Sequence, residues 1–220
     1  MNPIDKLTEI FRDFPGIGPR QAKRFVYFLL TRNKSYLKEF TSLVNELQGE
    51  IQICRECFQY FTKNKNPSGI CEICSSKNRD ENVLMIVARD IDLENIEKSH
   101  SFNGRYFVLG GTVPILDKNP ENRIHIKELL ATIEKKANTK TSPASERDLS
   151  LEKERLREII LGFSLNPESE YTANFIIEAL KPLTTKYNLK ISHLGRGLST
   201  GTELEYSDAD TIKNALKNRS

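Results

Sequence analysis

Residues 54–74 read CRECFQYFTKNKNPSGICEIC and hold all four cysteines of the chain. Cys54 and Cys57 form one CxxC pair and Cys71 and Cys74 a second, with thirteen residues between the pairs. Two such knuckles can bring four thiolates around one tetrahedral Zn²⁺. The segment between them holds Pro67 and Gly69 but few apolar residues, so it cannot fold alone and metal binding would supply its stability. Disulfides and buried free thiols are the competing readings. The absence of a secretion signal disfavours the first, and chance pairing of four cysteines into two CxxC units disfavours the second. Four sulfur ligands leave no open position for water, so the expected ion is structural. The cysteine segment also divides the chain, because the residue patterns before and after it differ.

Before it, the pattern is helical. Ile4, Leu7, Ile10, Phe11 and Phe14 share one helical face, and Ala22, Phe25, Val26, Leu29 and Leu30 resume the same period. Between them Pro15, Gly16, Ile17, Gly18 and Pro19 break the helix. A third helix is predicted from Ser35 to Gln52, with Leu37, Phe40, Val44, Leu47 and Ile51 inward. Gly16 and Gly18 let backbone approach a ligand closely, and Ile17 between them can plug back into the core. The amides opening the second helix point outward, where the helix dipole favours an anion. Arg20, Lys23 and Arg24 follow at once, with Arg20 and Arg24 one turn apart on one face. The segment resembles a helix-hairpin-helix module, which grips DNA phosphates without reading bases. The bland alternative is a helical hairpin whose glycines merely make a turn; the flanking cations favour phosphate binding.

After the cysteines, short apolar runs alternate with helical periods. Val83–Val87, Tyr106–Leu109, Ile159–Leu161 and Ile191–Leu194 read as strands; Leu93–Lys98, Ile124–Lys136 and Glu170–Leu180 read as helices. Such alternation predicts a parallel sheet covered on both faces. Residues 137–150 are polar and read as an exposed loop before a helix-forming stretch, Leu151–Glu158. Ligands gather at the carboxyl ends of parallel strands, which brings up Arg89 and Asp90 after the first strand and Glu168 and Glu170 after the third. Glu168 and Glu170 could share a Mg²⁺; a helix N-terminus favouring acidic residues is an equally good reading.

Composition sets wider bounds. The chain has 220 residues, 38% hydrophobic and 29% charged, which suits one sizeable core with small satellite modules. Its net charge of +3 does not by itself mark a nucleic-acid binder. Residues 1–40, however, hold eight cations against four anions, and the rest nearly cancels, so the basic excess sits in the helical module. No run of about 18 apolar residues suggests a membrane span. The opening MNPIDKLTEIF carries Asp5 and Glu9 and no long apolar core, so a cytoplasmic protein is expected. His100, His125 and His193 are scattered, no nucleophile–base motif appears, and Gly195-Arg196-Gly197 lacks the Gly-Lys-Ser/Thr of a phosphate loop.

The order of these modules, with local motifs, resembles the RecR family of recombination mediators. FPGIGPRQAKRFVYFLL resembles its opening motif, and RYFVLGG with Pro114, Leu116 and Asp117 its next segment. Glu168, Glu170, Thr172, Ala173 and Asn174 resemble its acidic E-G-E-x-T-A motif. Gly197, Gly201, Leu204, Glu205, Tyr206 and Asp208 resemble its G-x-P-x-G-x-x-L-E-Y-x-D stretch. The fold implied is α+β and multi-modular: a helix-hairpin-helix DNA-binding module at 1–53, a four-cysteine zinc finger at 54–77, an α/β Toprim domain with a mainly parallel sheet at 80–198, and a C-terminal segment at 199–220. Departures occur at Ala88, where the family's first Toprim strand ends in glutamate, at Ser199 in place of proline, at Lys118-Asn119-Pro120, and in the apparent insertion at 137–150.

The resemblance implies a non-enzymatic DNA-repair protein. It would bind single- and double-stranded DNA, form a dimer or tetrameric ring, and act with RecO, and with RecF where present, to load RecA. Glu168 and Glu170 would serve partner binding. The rival is a Toprim-type metal-dependent enzyme acting on phosphodiesters, which needs an acid at the end of the first strand. Ala88 argues against it, and Asp90 or Asp92 would have to substitute.

Overall fold

A computed structural model describes residues 1–63, 68–117, 119–138 and 155–195. The chain divides into two compact units, one covering Met1–Ile51 and one beginning at Gln52.

The first unit is helical. Helix α1 spans Pro3–Arg12, capped by the Asn2 side chain, which accepts the Asp5 amide at 2.9 Å. Helix α2 spans Pro19–Leu30 and α3 spans Lys34–Glu50, the latter capped by Asn33. Helices α1 and α2 pack through Phe11, whose ring meets Phe25 edge-on at 5.7 Å between centroids. Phe28 and Tyr36 pair across the α2–α3 turn, and the Arg32 guanidinium lies 3.9 Å over the Phe28 ring. Only Ala22 and Val26 are fully buried in these helices. The face expected to point inward from α3 does not: Phe40, Val44 and Leu47 are exposed, Leu37 is only half-buried, and Ile51 leaves the helix to open a strand. Leu30 is likewise exposed.

At the boundary begins a small two-stranded sheet, β1 (Ile51–Ile53) with β2 (Tyr60–Thr62), followed by a single-turn helix α4 (Glu72–Ser75). Four further strands follow: β3 (Asp80–Val87), β4 (Gly104–Val108), β5 (Glu158–Gly162) and β6 (Lys190–His193). They form one sheet in the order β4-β3-β5-β6, and every pairing is parallel. Helices α5 (Asp90–Lys98), α6 (Ile126–Ala137) and α7 (Pro167–Tyr187) connect them.

Alternation along the strands builds two cores. Leu84 and Ile86 of β3, Phe107 of β4, and Ile159 and Leu161 of β5 face α6 and α7, against Leu129, Ile133, Ile176 and Leu180. Met85, Val87, Tyr106 and Val108 face the other way, onto Leu93 and Ile96 of α5 and onto Ile73 of α4. Burial on both faces is what makes these strands read as continuous apolar runs.

Several boundaries differ from the sequence expectation. Strand β3 begins three residues earlier than Val83, in polar residues beyond the core. Helix α7 runs past Leu180 and through Pro182, because Leu183 and Tyr187 still pack on the core; it ends at Asn188, whose φ of 52° forms a left-handed cap. Glu158, expected to end a helix, opens β5. Ala137, expected to begin an exposed loop, is the buried last residue of α6. Residues 139–154 and the C-terminal segment 199–220 lie outside the described residues, as do Gly197, Ser199 and Lys118.

Candidate functional site

The structure brings the four cysteines together. Their sulfur atoms all lie within 4.8 Å of one another. Cys54, Cys57 and Cys71 are fully buried and Cys74 is half-buried, with Phe61, Ile70 and Ile73 packed around them. The first knuckle is bent by Phe58 at φ 65°, and the Cys54 amide donates to Gln59 O at 2.8 Å across the turn. The second is shaped by α4: Cys71 caps it, its Sγ accepting the Cys74 amide at 3.4 Å, while Cys54 Sγ accepts the Cys71 amide at the same distance. Amide donors of this kind stabilise thiolate charge. Hydrogen bonds among the sulfurs pull Cys54 below the ordinary thiol range and push Cys57 and Cys74 above it. At Cys71 the bond with Cys54 pushes up, but those with Cys57 and Cys74 outweigh it and bring the thiol to about 7. Four mutually close, buried sulfur donors fit a tetrahedral, sulfur-loving ion such as Zn²⁺, whose chemistry there would be structural.

The metal module covers one edge of the large sheet. Val108 of the edge strand β4 donates its amide to Cys57 O at 2.7 Å, and the Tyr60 amide donates to Asp90 Oδ1 at 2.7 Å. Phe58 stacks on Phe107 and on His125, with ring centroids 5.1 and 4.9 Å away. His125 is therefore a packing residue; its Nδ1 lies 3.3 Å from Val108 O. It also closes off Gly110, where φ is 88° and an added Cβ would lie 3.1 Å from the ring.

At the carboxyl ends of the strands, the acidic residues are engaged by the protein. Ala88, the first residue after β3, is buried and has no titratable group. Asp90 is held by Tyr60, and Asp92 Oδ2 accepts the Arg89 amide at 3.0 Å as part of a capping box. Asn166 caps α7, and Glu168 and Glu170 stand exposed in its first turn. Glu168 accepts the Thr112 hydroxyl, and the buried Thr172 joins its own hydroxyl to Glu168 O and to the Val113 amide, at 2.8 and 2.9 Å. The loop after β4 is thereby clamped to the start of α7. Among the described residues, the cysteines form the one cluster of three or more potential ligands close enough to share an ion.

In the helical unit, Gly16 takes φ 77°, with open space where a Cβ would stand. Gly18 is the N-cap of α2 and offers no side chain to its amides. The first intrahelical bond runs from Ala22 N to Gly18 O at 2.9 Å, so the Arg20 and Gln21 amides lie ahead of it. Arg20, Lys23 and Arg24 are all exposed. Arg24 meets only Gln21, at 3.3 Å, and among the described residues none of the three has an acidic partner. Ile17 is half-buried and ties back to Phe14 O through its amide at 3.1 Å. The result is an exposed, positively charged helix start, competent to hold an anion.

Residues 4–47 match the family described as RecR, helix-hairpin-helix, and residues 197–220 match RecR, C-terminal. The recombination protein RecR of Legionella pneumophila (strain Philadelphia 1) is 32% identical over 219 residues, covering 100% of this chain and 96% of the relative. Its namesake from Prochlorococcus marinus (strain MIT 9515) is 31% identical over 217 residues, covering 99% and 95%. A helical unit, a four-sulfur centre and a parallel α/β unit thus follow one another on a chain that matches recombination proteins along its whole length. The chain belongs to the RecR family. No helix among the described residues is long and apolar enough to cross a membrane.

Proposed function

We propose that this chain is a non-enzymatic mediator of DNA repair and recombination that holds DNA without reading its sequence. The observation that carries the reading is the start of α2: Gly16 and Gly18 open the backbone, and the exposed Arg20, Lys23 and Arg24 surround its first amides with positive charge that has no acidic partner among the described residues. Phosphate, single- or double-stranded, is the ligand such a surface takes. Zn²⁺ at Cys54, Cys57, Cys71 and Cys74 is structural. The α/β unit is read as a Toprim domain turned to protein contacts, with the Glu168–Glu170 end of the sheet facing a partner. The family resemblance supplies RecO, and RecF where present, as those partners, loading of RecA as the outcome, and the cytoplasm as the place.

A homo-oligomer is part of the same reading. Exposed Leu7, Ile10, Phe14, Leu43, Val44 and Leu47 leave the helical unit with more uncovered apolar surface than a lone chain ordinarily tolerates, and a second copy is the occupant that supplies a matching surface.

The test is a salt titration of DNA binding for the wild type and for Arg20→Ala/Arg24→Ala. The variant should bind more weakly on every sequence, and its slope of log K against log salt should be shallower by about 2. Equal affinity and slope would move the DNA contact elsewhere. Metal analysis of protein purified without chelator should return zinc; none would remove the metal assignment.

A further inference from the structure

Arg105 is unusual in being an arginine inside the protein. It lies in the edge strand β4 and only 5% of its surface is exposed. Its guanidinium does not face the sheet's helices. It reaches across to the metal module: Nη1 donates to Ile73 O at 2.7 Å and to Cys74 O at 2.8 Å, and Nη2 to Ser76 O at 3.0 Å and to the Glu81 carboxylate. The carbonyls it gathers are those of Ile73 and Cys74 in α4, the single turn that begins at the Cys71 cap, and of Ser76, which caps its other end. A helix this short satisfies almost none of its own terminal carbonyls. The fork of Arg105 takes up these otherwise open carbonyls, from a strand outside the knuckle.

We propose that Arg105 is a positioning residue for the metal centre, holding the second cysteine knuckle in its ligating geometry from outside the knuckle. The inference rests on the zinc reading of the four-cysteine site. A planar guanidinium can reach three carbonyls and a carboxylate at once, whereas an ammonium is a single point of charge. It also sets a fixed positive charge beside a module that carries excess negative charge once four thiolates surround a divalent ion. The device answers the module's weakness: its own residues bury too little to hold the ligands in place, and the sheet does it for them.

The test uses the full chain, zinc-loaded, as wild type, Arg105→Lys and Arg105→Gln, with Glu81→Gln as control. Far-UV circular dichroism establishes that each is folded. Zinc transfer to a chromogenic chelator is then timed, and the ligand-field spectrum of the Co²⁺-substituted protein recorded. The Arg105 variants should release zinc about tenfold faster or more, since they lose charge-assisted hydrogen bonds to buried carbonyls, and their Co²⁺ spectra should broaden. Glu81→Gln, which keeps the carbonyl contacts, should stay within about twofold of wild type. Folded Arg105 variants with wild-type release and an unchanged spectrum would overturn the proposal alone. A wild type that carries no zinc would overturn both it and the metal assignment.

Discussion

Arg79, Glu97 and Tyr106 form a largely buried charged contact in the α/β unit. The Arg79 guanidinium meets both oxygens of Glu97, and the Tyr106 hydroxyl donates to Glu97 Oε1 at 2.7 Å. Arg79, with a smaller contribution from Tyr106, holds the Glu97 carboxyl below the ordinary glutamate range despite its partial burial. Burial, reinforced by the charge it faces, pushes the Tyr106 phenol upward, so it stays protonated as a donor. A depressed carboxyl contributes stability that is complete above its unfolded value and is lost as pH falls through the folded one. Glu97→Gln should therefore cost about 2 kcal/mol at neutral pH, and the gap to wild type should narrow in acid, below the ordinary glutamate range. Urea unfolding at neutral and acid pH measures both.

At the level of elements, the sequence was most legible where a pattern is local and dense. The cysteine spacing foretold which sulfurs meet, because two CxxC turns over a short span leave few other arrangements. The four apolar runs foretold the strands; in β3, β4 and β5 burial on both faces makes the run dense, whereas the edge strand β6 is only half-buried. Strands β1 and β2 escaped notice because each is three residues long, too short to show a period. Arg105 was equally invisible: an arginine in a strand reads as a solvent residue until the carbonyls of α4 are seen around it. The α3 face is a different kind of miss. Its apolar period was plain, but periodicity states that a face is to be covered and not what covers it, and Phe40, Leu43, Val44 and Leu47 are exposed. Replacing Leu43 and Leu47 with glutamate should thus leave monomer helicity intact while lowering the assembled mass. Light scattering across a concentration series, with circular dichroism as control, checks it; an unchanged mass would exclude α3 from the interface.

At the scale of the whole molecule, the metal centre and the sheet are not separable. Cys57 O accepts from β4, Tyr60 ties to Asp90, and Phe58 fills the space between Phe107 and His125. Loss of a metal held there would free the module that covers the edge strand, and an uncovered edge is a template for pairing with another chain. Chelation should therefore lower the melting temperature of the α/β unit as a whole and make its unfolding aggregation-prone. Acid should do the same through proton competition at the thiolates, with zinc release rising as pH falls. Calorimetry with and without chelator, alongside metal release measured across pH, reads both effects.

The cover is also built before the thing it covers. Cys54 to Cys74 precede β3 and β4 in the chain, so a ribosome delivers the complete ligand set while the strand that braces it is still unsynthesised. Until Arg105 and Val108 emerge, the nascent knuckles have only their own turns to hold an ion. A metal taken up during synthesis would first be held by the emerging cysteines alone, and the hold would tighten once the edge strand docks behind them.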